Sequence, residues 1–131
     1  MKSKGILIVM FILTVSLLSC KSSSVGALTQ TSNKITGILT FEPDPLIAMK
    51  TATLKLQLSD QNGNPIEGAH VSYDLTMPAM KMPPNQPQAI AQASGLYIAE
   101  TTFSMSGDWQ AAVTILQGEE TTTLTFDFKV Q

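Results

Sequence analysis

Apolar and polar residues alternate with a period of two through most of this chain, and this pattern constrains its fold more than any other feature. Such spacing is typical of β-strands, whose successive side chains point to opposite faces. It recurs in residues 35–41, 54–58, 71–77, 97–103, 109–115 and 124–130. Turn-forming clusters at 60–65, 106–107 and 117–119 separate several of these segments, and no stretch has convincing helical periodicity. The pattern predicts an all-β chain, an immunoglobulin-like β-sandwich of about seven strands.

Residues 88–93 show no clear alternation. The segment is rich in alanine, and its pattern leaves both a strand and a loop open.

The N-terminus has the pattern of an export signal. Lys2 and Lys4 precede an apolar run that ends at Leu17-Leu18-Ser19-Cys20. This last tetrapeptide resembles the bacterial lipobox, which implies cleavage after residue 19 and a diacylglyceryl thioether on Cys20. We therefore expect a lipid-anchored protein on the extracytoplasmic side of a membrane, periplasmic or at the cell surface, held by two or more acyl chains. The alternative is an uncleaved N-terminal anchor with an incidental cysteine.

Residues 20–33, rich in small and polar residues, are expected to form the lipidated N-terminus and a flexible tether. Residues 34–131 are expected to form one small domain. Cys20 is the only cysteine, so no intramolecular disulfide can form. Without Lys2 and Lys4, six lysines remain against ten acidic residues, a formal charge of −4, and there is no arginine. This composition argues against nucleic-acid binding.

Methionines are concentrated in two short stretches. Met77, Met80 and Met82 lie among prolines where strand alternation ends, and Met105 stands just before Ser106-Gly107-Asp108-Trp109. If the strand ending at Met77 runs up, 88–93 runs down and 95–104 runs up again, both stretches finish at the same end of the sandwich. The inference depends on 88–93 being a strand.

Thioether sulfur is soft and suits Cu(I), and outside the cytoplasm free thiols tend to be oxidised. We therefore predict a Cu(I) site with Met77, Met80, Met82 and Met105 as ligands, shielded by Trp109 through a cation–π contact. The alternative for each methionine is packing, for which this side chain is well suited. Isolated Met49 is interpreted as packing. His70 falls on the polar face of its strand, and we expect it on the surface, far from Met77.

The chain also resembles a known family. The residues concerned are Asp60–Ala69, Met77-Pro-Ala-Met-Lys-Met-Pro83, Gly95-Leu-Tyr97 and Phe103–Trp109, which together are similar to the YtkA-like domain, a relative of FixH-type proteins. The resemblance implies an immunoglobulin-like sandwich on the outer side of the cytoplasmic membrane. It also implies copper handling, beside copper efflux systems or in supplying terminal oxidases. The family's methionine motifs fall on Met77, Met80 and Met82, and on Met105 with Trp109.

Two functions remain open. The first is a non-enzymatic Cu(I)-binding module, a chaperone or buffer. The second is a module that binds no metal and docks through its Met-Pro loop onto an oxidase or efflux complex. We do not expect an enzyme, because the only cysteine is in the lipobox and the only histidine lies on a polar strand face, which leaves no set of residues for nucleophilic catalysis.

Overall fold

Two antiparallel sheets form the body of the protein. The computed structural model describes residues 24–131, so the predicted signal peptide, Cys20 and the first residues of the tether lie outside the described part. The strands are β1 (Leu28–Ser32), β2 (Ile35–Glu42), β3 (Thr51–Ser59), β4 (His70–Thr76), β5 (Ile90–Ala91), β6 (Leu96–Thr102), β7 (Gly107–Gln117) and β8 (Glu120–Val130). One sheet has the order β1-β2-β3-β6-β5 and the other β4-β7-β8.

The two sheets pack face to face through the apolar members of each alternating segment. Aromatic rings bridge the layers: the Phe41 and Phe128 ring centroids are 4.8 Å apart, and Phe103 contacts both Phe128 and Trp109 edge-on. Side chains from both sheets belong to one buried cluster. The predicted immunoglobulin-like sandwich is therefore confirmed, with eight strands within residues 24–131 in place of about seven.

The ordered domain begins earlier than residue 34, because β1 lies inside the predicted tether. β1 pairs with β2 through a two-residue hairpin loop, Asn33-Lys34, in which both residues have positive φ. Three of the five β1 residues are exposed and none is fully buried. An edge strand of this kind carries no alternating apolar pattern, which is why the sequence places it in a tether.

Residues 85–91 pass from one sheet to the other. The carbonyls of Asn85 and Pro87 accept the backbone N–H groups of Leu75 and Tyr73, so the segment first runs antiparallel along β4. Only Ile90–Ala91 then pair with β6. Of residues 88–93, for which the sequence left both a strand and a loop open, only these two form a strand, because a 3-10 turn follows at Ala93–Gly95. The downward direction that the topological argument required is nevertheless present.

The strand register divides the connections between two ends of the sandwich. Loops 43–50, 77–84 and 103–106 lie together at one end, here called the methionine end. The turns at 33–34, 60–65 and 117–119 lie at the opposite end, here called the far end. Residues 24–131 include no helix with the length and apolar character needed to cross a bilayer.

Candidate functional site

Met77 connects the two methionine-bearing stretches. Thr76, the last residue of β4, pairs with Gln110 of β7, so Met77 lies beside the start of β7. A Cβ atom added to Gly107 would stand 2.8 Å from the Met77 Cε atom, which shows that the thioether methyl lies directly against this turn. The Met77 side chain is 8% exposed. The predicted approach of the 77–82 and 105–109 segments is therefore present in the structure.

Met82 returns to Met77 at the end of a short loop. The Met77 backbone N–H donates to the Met82 Sδ atom at 3.2 Å, and the Met82 side chain is partly buried against the core. Within the loop, the Met80 N–H donates to the Met77 carbonyl at 3.2 Å. This turn leaves the Met80 side chain 48% exposed. One sulfur of the loop is thus held close to the body and another projects from it.

Met105 is held from beneath by Trp109. The Trp109 Nε1–H donates to the Met105 carbonyl at 3.0 Å, and the indole packs edge-on against Phe103 at 5.0 Å. Trp109 is only 1% exposed, whereas Met105 is 42% exposed. The indole therefore fixes the backbone of the Met105 turn from the core side. Its predicted shielding of a metal stays a prediction, and such a contact would have to come from the interior.

Met49 is a fifth methionine at this end, and its interpretation as packing is wrong. Its side chain is 74% exposed, and its φ of 63° is one that residues other than glycine adopt rarely. The Met49 N–H donates to the Phe103 carbonyl at 2.8 Å, two residues before Met105. The sequence signal was the end of alternation after Phe41, which places the β2–β3 loop at the end where β4 stops.

His70 is at the far end, as expected. It is the first residue of β4, pairs with Leu116 and is exposed. Among residues 24–131, no three His, Cys, Asp or Glu side chains come together as a group that could hold a metal ion. A groove of about 500 Å³ also lies at the far end, beside Asn33, Lys34 and Glu120. Its lining is mainly polar and contains none of the predicted ligands.

The methionine end therefore has two kinds of sulfur. Met77 and Met82 are largely covered by the protein, while Met49, Met80 and Met105 are open to solvent on three neighbouring loops. All are neutral, soft donors of the type that Cu(I) accepts. Flexible side chains on exposed loops can turn toward a common ion, while the covered pair lies close to the body of the domain.

These features define a small all-β sandwich domain with soft sulfur donors gathered at one end. A family model described as YtkA-like matches residues 29–114, and the chain belongs to this family. No curated protein matches it in sequence.

Two solved structures share the fold. One is a DUF4426 family protein from Pseudomonas aeruginosa PAO1, with a TM-score of 0.58, 15% identity, and coverage of 79% of this chain and 94% of that chain. The other is the PmoD soluble domain from Methylocystis sp., with a TM-score of 0.56, 12% identity, and coverage of 81% and 98% respectively. At these identities the likeness concerns the fold alone.

Proposed function

We propose that this protein is a membrane-anchored, extracytoplasmic Cu(I)-binding module that acts as a copper chaperone or buffer. Its ligands are Met77, Met80, Met82 and Met105, and Met49 is an additional donor on the neighbouring loop. The observation that carries the proposal is the contact of Met77 with the Gly107 turn, which brings the two methionine stretches to one place.

The arrangement suits capture and release better than permanent storage. Three of the five thioethers are substantially exposed, so a bound ion stays within reach of a partner's ligands. Thioethers are neutral, and a bound Cu(I) ion therefore keeps its positive charge. On this proposal the Trp109 indole, which lies beneath the Met105 turn, adds a cation–π contact to the bound ion. These properties fit a protein that passes copper to or from an efflux system or a terminal oxidase, and none of them requires catalysis.

The proposed anchoring rests on the lipobox-like tetrapeptide that ends at Cys20, before the described domain. A lipid on this residue would keep the module at the membrane where such partners reside. Processing can be tested by mass spectrometry of the purified protein, which should show a mature N-terminus at Cys20 carrying diacylglyceryl.

A second function is favoured by one specific observation. Residues 78–81 are exposed and include Met80 together with Pro78 and Ala79, so this loop can also serve as an apolar docking surface that binds no metal. On this view the partner is an oxidase or efflux membrane complex.

Competition for Cu(I) separates the two functions. The protein is titrated against a chromophoric Cu(I) chelator and compared with a Met80→Ala/Met82→Ala variant. An Ile38→Ala/Ile90→Ala variant, which truncates exposed apolar residues away from the methionine end, is the matched control. We expect the methionine variant to raise Kd at least about tenfold, equivalent to about 1.4 kcal/mol, and the control to leave it unchanged. Failure of the unmodified protein to compete would rule out the copper function and favour docking.

A further inference from the structure

The N-terminal segment enters the domain at the methionine end. The carboxylate of Asp44, on the β2–β3 loop that also carries Met49, accepts the backbone N–H groups of Val25 at 2.6 Å and Gly26 at 2.9 Å. β1 then runs away from this end, because Leu28 pairs with Leu39 and the β1–β2 turn lies at the far end. Within residues 24–131, the N-terminal segment is therefore first bonded to the domain beside the methionine loops.

The tether is short compared with the domain. Five peptide units separate Cys20 from Val25 and span at most about 17 Å when fully extended. β8 alone has eleven residues, which corresponds to about 37 Å along the sandwich. A lipid on Cys20 therefore cannot reach a bilayer placed against the far end.

Charge is distributed unequally between the two ends. At the methionine end, the exposed Lys50 and Lys81 stand with Asp44, and Asp108 is paired with Lys129 at 3.3 Å. Glu42, which is paired with Lys55, and Glu100 also lie near this end. With a carboxylate at Gln131, five carboxylates there face four lysines, a difference of one negative charge. The far end carries four carboxylates against one lysine, namely Asp60, Glu67, Glu119 and Glu120 against Lys34. An anionic lipid surface therefore repels the far end more strongly than the methionine end.

We propose that the methionine end is the face that the protein presents to the lipid bilayer, so that copper is exchanged at the membrane surface. This inference rests on the anchored copper module proposed above. The side chains of Met49, Met80 and Met105 and the 37% exposed Ile47 provide apolar contacts suited to the bilayer interface. Ligands of a membrane-embedded partner would then meet the sulfur atoms without the domain turning over.

The orientation can be measured with nitroxide labels. The full lipidated chain is reconstituted, without metal, into vesicles of phosphatidylethanolamine and phosphatidylglycerol. A single cysteine is introduced at Ala79 on the methionine end or at Asn62 on the far end, both exposed positions. Because the lipid occupies Cys20, the introduced thiol is the only one to be labelled. Collision of each label with a nickel chelate attached to lipid headgroups is then compared.

We expect the Ala79→Cys label to collide with the membrane-bound nickel several-fold more often than the Asn62→Cys label. An Asp44→Ala variant, which releases the N–H groups of Val25 and Gly26, should reduce this difference. Equal collision at the two sites, or greater collision at residue 62, would overturn the proposal. So would a protein that is not retained on the vesicles. Since the measurement is made without copper, a failure of copper binding would appear only in the chelator titration.

Discussion

Two buried tyrosines offer a matched test of hydrogen bonding in the core. Tyr97 is 1% exposed, and its hydroxyl accepts the Ala69 N–H at 3.1 Å and donates to the Ile66 carbonyl at 2.9 Å. Tyr73 is 2% exposed, and within the described residues its hydroxyl has no hydrogen-bond partner. An unpaired buried polar group costs about 1–3 kcal/mol, whereas an apolar replacement of the same shape removes that cost.

We therefore expect opposite results from the same chemical change. Tyr73→Phe should stabilise the protein by about 1 kcal/mol, because it deletes a hydroxyl that gains nothing in the folded state. Tyr97→Phe should destabilise it by about 2–3 kcal/mol, because the Ala69 N–H and the Ile66 carbonyl are left unpaired. At about 4 °C per kcal/mol for a chain of this size, the two variants should differ by more than about 10 °C in Tm. Calorimetry and urea unfolding of both variants measure this difference.

The dependence of stability on pH in the alkaline range provides a second test of the Tyr73 environment. Burial raises the pKa of Tyr73 above its ordinary value of about 10, because the phenolate is disfavoured in the core. Above that pH the unfolded chain loses this proton while the folded chain keeps it, so stability falls as pH rises, by up to about 1.4 kcal/mol per pH unit. Tyr73→Phe should remove this contribution. If Tyr73→Phe instead destabilises the protein by more than about 1 kcal/mol at neutral pH, the hydroxyl has a partner in solution and the reasoning is refuted.

Three further predictions concern the methionine end. Met77→Leu keeps the buried volume, so it should lower the free energy of unfolding in urea by less than about 1.5 kcal/mol. It should nevertheless weaken Cu(I) binding in chelator competition, and unchanged binding would show that Met77 is a packing residue only. Gly107→Ala should lower Tm, because residue 107 has a φ of +133° and the new Cβ would stand 2.8 Å from the Met77 Cε atom. An unchanged Tm would show that neither the backbone conformation nor the contact constrains this turn. Trp109→Phe should lower the free energy of unfolding by about 2–3 kcal/mol and loosen the turn, because it removes the hydrogen bond to the Met105 carbonyl. The amides of residues 104–107 should then exchange hydrogen faster, and unaltered protection would contradict this role for the indole.

The period-two pattern was sufficient to predict the class of fold. In 54–58 and 109–115 each alternate residue is buried, and the turn clusters at 60–65 and 117–119 connect strands as expected. Strand direction also predicts that the 77–82 and 105–109 segments lie at one end of the sandwich. Such properties are local, since alternation records which face is buried and each tight turn reverses the chain.

Tertiary structure alone decided the features that depend on which distant segments become neighbours. β1 is an exposed edge strand, so only its pairing with β2 distinguishes it from a tether. Met49 is isolated in the sequence and joins the methionine end through the bond to Phe103, while Asp44 ties the N-terminal segment to the same loop. The Asp44 and Met49 contacts join residues that are about 20 to 50 positions apart. Their partners are selected by sheet order and register, which no local pattern encodes.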